Sequence, residues 1–164
     1  MNPVINYFAG EKAESYLFLG LGLLGFGLSI YLAKITASPF WKGFAIPCMI
    51  VSVLEIIIGV TLIYRSPKDI IRVEHYFKNE PSKISTDEIP RMDKVMKNFV
   101  IFRYSEIAII LVGILFYFVF AKLEFWKGLG LGLLIQASVV LTLDYFAERR
   151  GFIYLEYLKK SSDE

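Results

Sequence analysis

Four long apolar runs dominate the chain and are separated by short polar segments. The run from Tyr16 to Ala33 carries no charge, and each of the other three carries only one or two charged side chains. Each run is close to the ~20 residues that a helix needs to cross a bilayer, and none shows the polar and apolar alternation of barrel strands. The pattern predicts an all-α integral membrane protein, a bundle of four transmembrane helices with spans at about 16–35, 44–65, 96–121 and 127–148.

Composition agrees with this pattern, since 55% of the residues are hydrophobic and ordinary soluble domains have about 45–50%. No polar segment is long enough to fold separately, so residues 1–164 are expected to form a single transmembrane domain, and a soluble catalytic domain is excluded. We expect the first run to be a retained span rather than a cleaved signal peptide, because Glu11, Lys12 and Glu14 precede it in place of a basic region.

The distribution of basic residues predicts the orientation of the spans. Of the 18 Lys and Arg residues, fourteen fall on one side of the membrane if the four spans alternate in direction. Because basic residues are retained on the cytoplasmic side, both termini and the middle segment are expected in the cytoplasm, with the protein in the plasma (inner) membrane. Trp41 and Trp126 lie at the two outer turns, where indole rings favour the headgroup level.

The two outer turns also indicate an internal duplication. The sequence Phe40-Trp41-Lys42-Gly43 recurs as Phe125-Trp126-Lys127-Gly128, and the chain has no other tryptophan. We therefore predict two tandem helical hairpins that insert in the same direction, a parallel repeat whose axis lies along the membrane normal.

The segment between the second and third spans is expected to lie at the membrane surface. Ser66-Pro67-Lys68-Asp69 has the features of a helix start, which predicts that the second span ends there. Ile70, Val73 and Phe77 then fall on one face, the pattern of a short interfacial cytoplasmic helix within an amphipathic segment at about 67–90. Residues 149–164 are expected to form a cytoplasmic tail that begins as a continuation of the fourth helix.

Charged residues inside the spans are the main candidates for a functional site, because an ion in hydrocarbon must find a partner, an ion or water. They are Glu55, Arg103, Glu106 and Asp144. Arg103 and Glu106 share one helix face, and Gln136 lies two turns from Asp144 on a row of the next helix. One hypothesis is a structural network in which Asp144 or Glu106 neutralises Arg103. The other is an acidic, cytoplasm-facing pocket for a cation or proton, with Glu55 innermost.

Small residues on two helices predict close helix packing. Gly25, Ser29 and Ala33 form one row, and Gly128 with Gly132 forms a second. The single cysteine and the single histidine do not suggest a metal site, no cofactor is expected, and no catalytic motif is present. The middle segment mixes acids with its basic residues, which disfavours nucleic-acid binding.

Three functions remain open at this point. The first is an oligomeric channel-type or transporter-type protein that binds a cation or proton. The second is a non-catalytic interaction protein, such as a subunit, a regulator or an immunity-type protein. The third is a membrane enzyme that acts on a lipid-like substrate. The expected partners are the lipid bilayer and either further copies of the chain or another membrane protein.

Overall fold

Long α-helices make up nearly the whole protein. The computed structural model describes residues 3–162, which form α1 (Pro3–Ile35), α2 (Pro39–Asn79), α3 (Ile89–Val119) and α4 (Glu124–Ser162), with a short π-helix (Ile84–Glu88) just before α3. All four α-helices are long and apolar enough to cross a membrane. The prediction of an all-α protein with four potential spans is therefore confirmed.

The helices are longer than the apolar runs, and their surplus lengths gather at one end of the bundle. The amino ends of α1 and α3 and the carboxyl ends of α2 and α4 meet there around a buried apolar core, the cap cluster: Val4, Tyr7, Phe8, Val73, Ile84, Met92, Tyr154, Leu155 and Leu158. We call this end the cap end. The opposite end, which carries the turns at 36–38 and 120–123, is the turn end.

The predicted break of α2 at Ser66 is wrong, because α2 continues without interruption to Asn79. Pro67 lies inside the helix and removes one backbone hydrogen bond. Ion pairs along the helix stabilise it around Pro67. Asp69 pairs with Arg65, which precedes the proline (3.2 Å), and with Arg72, which follows it (2.9 Å). Val73 is fully buried in the cap cluster, so residues 67–79 extend α2 and form no separate helix.

The helices of the second hairpin also extend beyond their apolar runs. The third helix begins at Ile89, with Pro90 in its first turn. The fourth continues past the apolar run to Ser162, and Tyr154 and Leu158 of this extension are fully buried. Packing in the cap, rather than lipid, therefore accounts for the helical state of the C-terminal segment.

The four helices pack as two hairpins joined through α2 and α4. The α1–α2 and α3–α4 pairs form the hairpins, α2 packs on α4, and α1 also contacts α4. Within the described residues 3–162, the backbone of α3 approaches neither α1 nor α2, and α3 meets them through side chains of the cap cluster. A gap is consequently left between α2 and α3, above the surface of α4.

Glycines permit the closest helix contacts, which lie at the turn end. A Cβ atom on Gly43 would collide with the carbonyl oxygen of Phe125, and one on Gly128 would collide with that of Phe40. Gly132 packs against Pro47 in the same α2–α4 interface. The small-residue row of α4 thus lies at a backbone-to-backbone contact, which only glycine allows.

The small-residue row of α1 is less uniform. Gly25 faces the hydroxyl of Ser52 on α2, and Ser29 is fully buried, whereas Ala33 is exposed. The two tryptophans of the turn end, Trp41 and Trp126, are each 41% exposed, so part of each indole ring lies on the surface of the bundle.

We expect Gly128→Ala to destabilise the protein by about 1–3 kcal/mol, because its methyl group would collide with backbone that cannot move independently of α2. Gly27→Ala is the matched control, since nothing lies within 4 Å of the added Cβ; alanine there should leave stability unchanged or raise it by up to about 1 kcal/mol. Thermal unfolding of both variants in detergent measures the difference. Equal midpoints for the two variants would contradict the proposed close contact.

Candidate functional site

A cleft lies in the gap between α2 and α3 and contains most of the charged residues singled out in the sequence. Its wider part, toward the cap end, is a cavity of about 430 Å³ lined by residues from all four helices, including Phe18, Ile58, Glu106 and Asp144. A second cavity of about 320 Å³ extends toward the turn end. The two share Phe18, Ile58, Glu106 and Val140 in their walls, so they adjoin, and we call them together the cleft.

Glu106 and Asp144 face each other across the floor of the cleft, at the contact of α3 with α4. The two side chains are neighbours in the wall of the wider part of the cleft. Glu106 is only 7% exposed, and its Oε2 atom has no hydrogen-bond partner among residues 3–162. Two neighbouring carboxylates that were both ionised would repel each other in this apolar setting, and a bound proton or cation would relieve that repulsion.

Glu55 is the third acid of the cleft and lines its narrower part, together with Gln136. Its side chain is 4% exposed and forms no ion pair with any residue of the described chain. The surrounding walls are apolar, with Ile50, Leu54 and Leu133 among them. Glu106 therefore lines both parts of the cleft, Asp144 lines the wider part, and Glu55 and Gln136 line the narrower part.

Arg103 does not join this group. Its guanidinium donates hydrogen bonds to both carboxylate oxygens of Glu148, at 3.2 and 3.1 Å, in another pocket of the α3–α4 hairpin that Asp144 also lines. The expectation that Asp144 or Glu106 neutralises Arg103 is not met. Glu148 lies one turn beyond Asp144 on the same row of α4, and the rotation of α3 about α4 brings that turn to Arg103.

Two ion pairs line the cleft at its cap end. Arg65 of α2 binds Glu11 of α1 at 2.9 Å, and Arg150 of α4 binds Glu14 of α1. Gly10 makes room for the second pair, because a Cβ atom there would strike the Arg150 side chain at 2.6 Å. Burial raises the pKa of the Glu14 carboxyl above its ordinary value, and the hydrogen bond from Arg150 opposes that rise.

The ion pairs continue from the cleft into the cap as one connected chain. Arg65 also binds Asp69, and Asp69 in turn binds Arg72. Arg72 reaches Glu88 at 3.3 Å, and Arg91 binds the same carboxylate at 2.6 Å. Each acid of this chain of ion pairs, Glu11, Asp69 and Glu88, therefore has at least one arginine partner, which offsets the cost of removing it from water.

Glu88 lies at the end of this chain and is the most completely buried of its acids, at 1% exposed. The hydroxyl of Tyr154 donates a hydrogen bond to it at 3.0 Å, and the Tyr154 ring stacks on Tyr7 at 4.5 Å. Burial, and then the nearby Glu88 charge, raise the pKa of Tyr154. Burial, together with the charge of Glu11, raises the pKa of Tyr7 to about 12.

Sequence reasoning did not anticipate the roles of Glu11, Glu14, Arg150 and Glu88. The first two flank the apolar run of α1 three residues apart, which places them on one helix face. Glu88 lies in a polar stretch that resembles a connector. Its three-residue spacing from Arg91, next to the apolar Ile84, is the sequence feature that could indicate a buried ion pair. Those spacings could have indicated buried pairs once the helices were known to extend beyond the lipid.

The arrangement of donor groups bears on which ligands the site can hold. Within residues 3–162, no group of three or more His, Cys, Asp and Glu side chains is placed to hold a metal ion. Cys48 is buried in α2 as a free thiol. What the cleft does offer is a carboxyl pair and a further acid in an apolar setting.

Comparisons with protein-family models, with curated protein sequences and with solved structures found no match to this chain.

We expect the protein to lose stability as the pH rises from about 10 to about 12. The folded-state pKa of Tyr7 is about 12, above the ordinary value of about 10. Folding therefore favours the neutral phenol, and that stabilisation is complete below pH ~10 and is lost as Tyr7 ionises. Alkaline unfolding followed by circular dichroism should occur at higher pH in Tyr7→Phe than in the parent protein. Tyr104→Phe, at an exposed position, should not shift the midpoint; identical midpoints for all three proteins would contradict the assignment.

Removal of the Tyr154 hydroxyl should also weaken the cap. Tyr154→Phe deletes the hydrogen bond to the buried Glu88 carboxylate, and hydrogen bonds to charged groups contribute about 1.5–3 kcal/mol. Chemical unfolding should show a loss of that size. Tyr145→Phe, at an exposed position, is the control, and a loss equal to that of the control would show that the hydroxyl of Tyr154 adds nothing.

Proposed function

We propose that the protein is a small transport-type membrane protein that binds a cation or proton at the Glu106–Asp144 pair. One observation carries this proposal: Glu106 is buried, has an unpartnered carboxyl oxygen, and faces a second carboxyl group inside a cleft. An ionised acid without a partner in an apolar setting has a high free-energy cost, and such residues usually mark binding sites. A bound proton or cation removes that cost.

The supply of positive charge within the protein supports the same proposal. Arg65 is engaged by Glu11 and Asp69, Arg103 by Glu148, and Arg150 by Glu14. In the described part of the chain, no arginine or lysine forms an ion pair with Glu55, Glu106 or Asp144. The compensating charge must then come from solution or from the bilayer.

The cap end faces the cytoplasm in this proposal, and the protein lies in the plasma (inner) membrane. The support is the concentration of basic residues in the segments that build the cap end, which the positive-inside rule retains on the cytoplasmic side. Both termini are then cytoplasmic. The ion pairs Arg65–Glu11 and Arg150–Glu14 stand between the carboxyl pair and the cytoplasm, where their opening would let a cation pass.

A duplicated hairpin accounts for the position of the cleft. Gly43 meets Phe125 and Gly128 meets Phe40, so equivalent residues of the two proposed repeats make the same contact in both directions, as a two-fold axis along the membrane normal would produce. Such an axis would also match the α1–α4 contact with an α3–α2 contact. Only the first is made within the described residues, and the missing counterpart is the cleft.

A second function, a non-catalytic interaction protein, is favoured by the exposure of α3. The backbone of that helix approaches only α4 and the π-helix among the described elements, which leaves most of its surface to lipid, to another membrane protein or to a second copy of the chain. Small residues suited to close contact lie in interfaces within the bundle, α2–α4 and α3–α4 among them. The enzyme hypothesis would use Arg103 and Glu106 with Asp144, and the ion pair of Arg103 with Glu148 argues against it.

Proton flux into liposomes that contain the purified protein tests the transport proposal. Under an imposed membrane potential, we expect an entrapped pH dye to report acidification in proteoliposomes beyond that of empty vesicles. Glu106→Gln and Asp144→Asn should each lower the rate about tenfold or more, since the loss of a charged partner costs about 1.5–3 kcal/mol.

Glu156→Gln is the matched control, because Glu156 is exposed and lies on the α4 extension away from the cleft. Its flux should equal that of the parent protein. Flux no greater than in empty vesicles, or equal flux in the Glu106→Gln and parent proteins, would overturn the proposal.

A further inference from the structure

We infer that the cleft binds a lipophilic organic cation, with its positive group at the Glu106–Asp144 pair and its apolar body between α2 and α3. This inference rests on the proposed function and adds the chemical class of the ligand and its route of entry. Four observations carry it: the unpartnered buried acid, the apolar walls, the size of the cleft and the position of its opening.

The acid determines the charge of the ligand. Oε2 of Glu106 has no hydrogen-bond partner in the described structure, the Glu106 side chain lines both cavities, and Glu55 lies farther along the same cleft without an ion pair. A ligand that binds at the Glu106–Asp144 pair must therefore be positive. An anion would meet two or three acids with no free arginine beside them.

The walls determine the rest of its chemistry. Between Glu106 and the turn end, the cleft is lined by aliphatic side chains, including Ile50, Leu54, Ile109 and Leu133. A metal ion that gave up its hydration water would need about six oxygen ligands from the protein. The backbone carbonyl groups of the helices are already used in helix hydrogen bonds. An organic cation, by contrast, can exchange water for these aliphatic surfaces.

The size of the cleft exceeds what a proton requires. Its two adjoining parts measure about 430 and 320 Å³, each within the range of about 300–1,000 Å³ that small-molecule sites occupy. A ligand of several aromatic or aliphatic groups matches this volume.

The opening of the cleft determines the route of entry. Ion pairs and the cap cluster block the cap end, and the Gly43 and Gly128 contacts close the turn end. The side between α2 and α3 is open, since wall residues there remain substantially exposed: Ile50 at 59%, Leu54 at 52% and Phe102 at 50%. In a membrane this side faces the acyl chains, so the ligand enters from the lipid and must itself be soluble in it.

Binding of tetraphenylphosphonium to the purified protein in nanodiscs of zwitterionic lipid tests the inference. We expect saturable binding beyond that of empty nanodiscs, with release of a proton to a weakly buffered medium. Glu106→Gln should weaken the binding about tenfold or more, a difference of about 1.4 kcal/mol or more, and Glu156→Gln should leave it unchanged. Tetraphenylborate, an anion of nearly the same shape, should show no binding beyond that of empty nanodiscs.

The route of entry has a separate test. Ile109→Trp places a large ring at the α3 wall of the cleft, and Leu111→Trp places the same ring on a part of α3 that does not line it. We expect the first variant to slow tetraphenylphosphonium binding about tenfold and the second to bind like the parent protein. Both variants retain every acid of the cleft.

Each alternative outcome overturns a defined part of the inference. Equal binding of tetraphenylborate, or of tetraphenylphosphonium in Glu106→Gln, would show that apolar packing alone fills the cleft, as a lipid chain or a partner helix would. Equal kinetics for Ile109→Trp and Leu111→Trp would overturn lateral entry. If proton flux responds to Glu106→Gln while tetraphenylphosphonium does not bind, the ligand class is wrong and the transport function stands; absence of both effects removes the function as well.

Discussion

The structure depends on one constraint: a charged group removed from water must have a partner. Six charged side chains near the cap satisfy it among themselves, since the acids Glu11, Asp69 and Glu88 alternate with the arginines Arg65, Arg72 and Arg91 along one connected chain. The acids Glu55, Glu106 and Asp144 do not satisfy it within the described protein. The first set stabilises the fold, and the second set has no arginine or lysine partner among the described residues.

Two kinds of contact hold the hairpins together and leave the space between them unfilled. At the turn end, glycines bring the backbones of α2 and α4 into direct contact. At the cap end, the ends of the helices and the π-helix enclose an apolar core. Because the backbone of α3 approaches only α4 and the π-helix in the described structure, the cleft lies between these two ends. A site in this position can open sideways without disrupting either end.

Sequence patterns specify the spans well because the cost of exposing backbone or charge in lipid is large and local. The apolar runs therefore predict the four helices. Because charged residues are rare inside them, Glu55, Glu106 and Asp144 stand out as candidate site residues. The partner of Arg103 was not predictable in this way, since Asp144 and Glu148 lie one turn apart on the same row. The choice between them depends on the rotation of two helices about each other, a property of the whole bundle.

Local signals were also insufficient where long-range contacts compete with them. Ser66 and Pro67 are typical of a helix start, yet α2 passes through them, because Asp69 is held by two arginines and Val73 by the cap cluster. The stretch before α3 has the composition of a connector, yet Ile84 and Glu88 are among the most buried residues of the protein. Both features depend on the cap, which is built from parts of all four helices.

The arginine chain has a consequence for recognising distant relatives. Arg65 and Arg72 each bind two carboxylates at once, which the planar guanidinium fork does readily and the single ammonium of lysine does less well. Evolutionary drift should therefore replace the aliphatic residues of the spans freely while it retains Arg-x-x-x-Asp-x-x-Arg at the end of the second helix and Glu-x-x-Arg at the start of the third. That spaced pattern is a fingerprint by which homologues of low overall identity could be found.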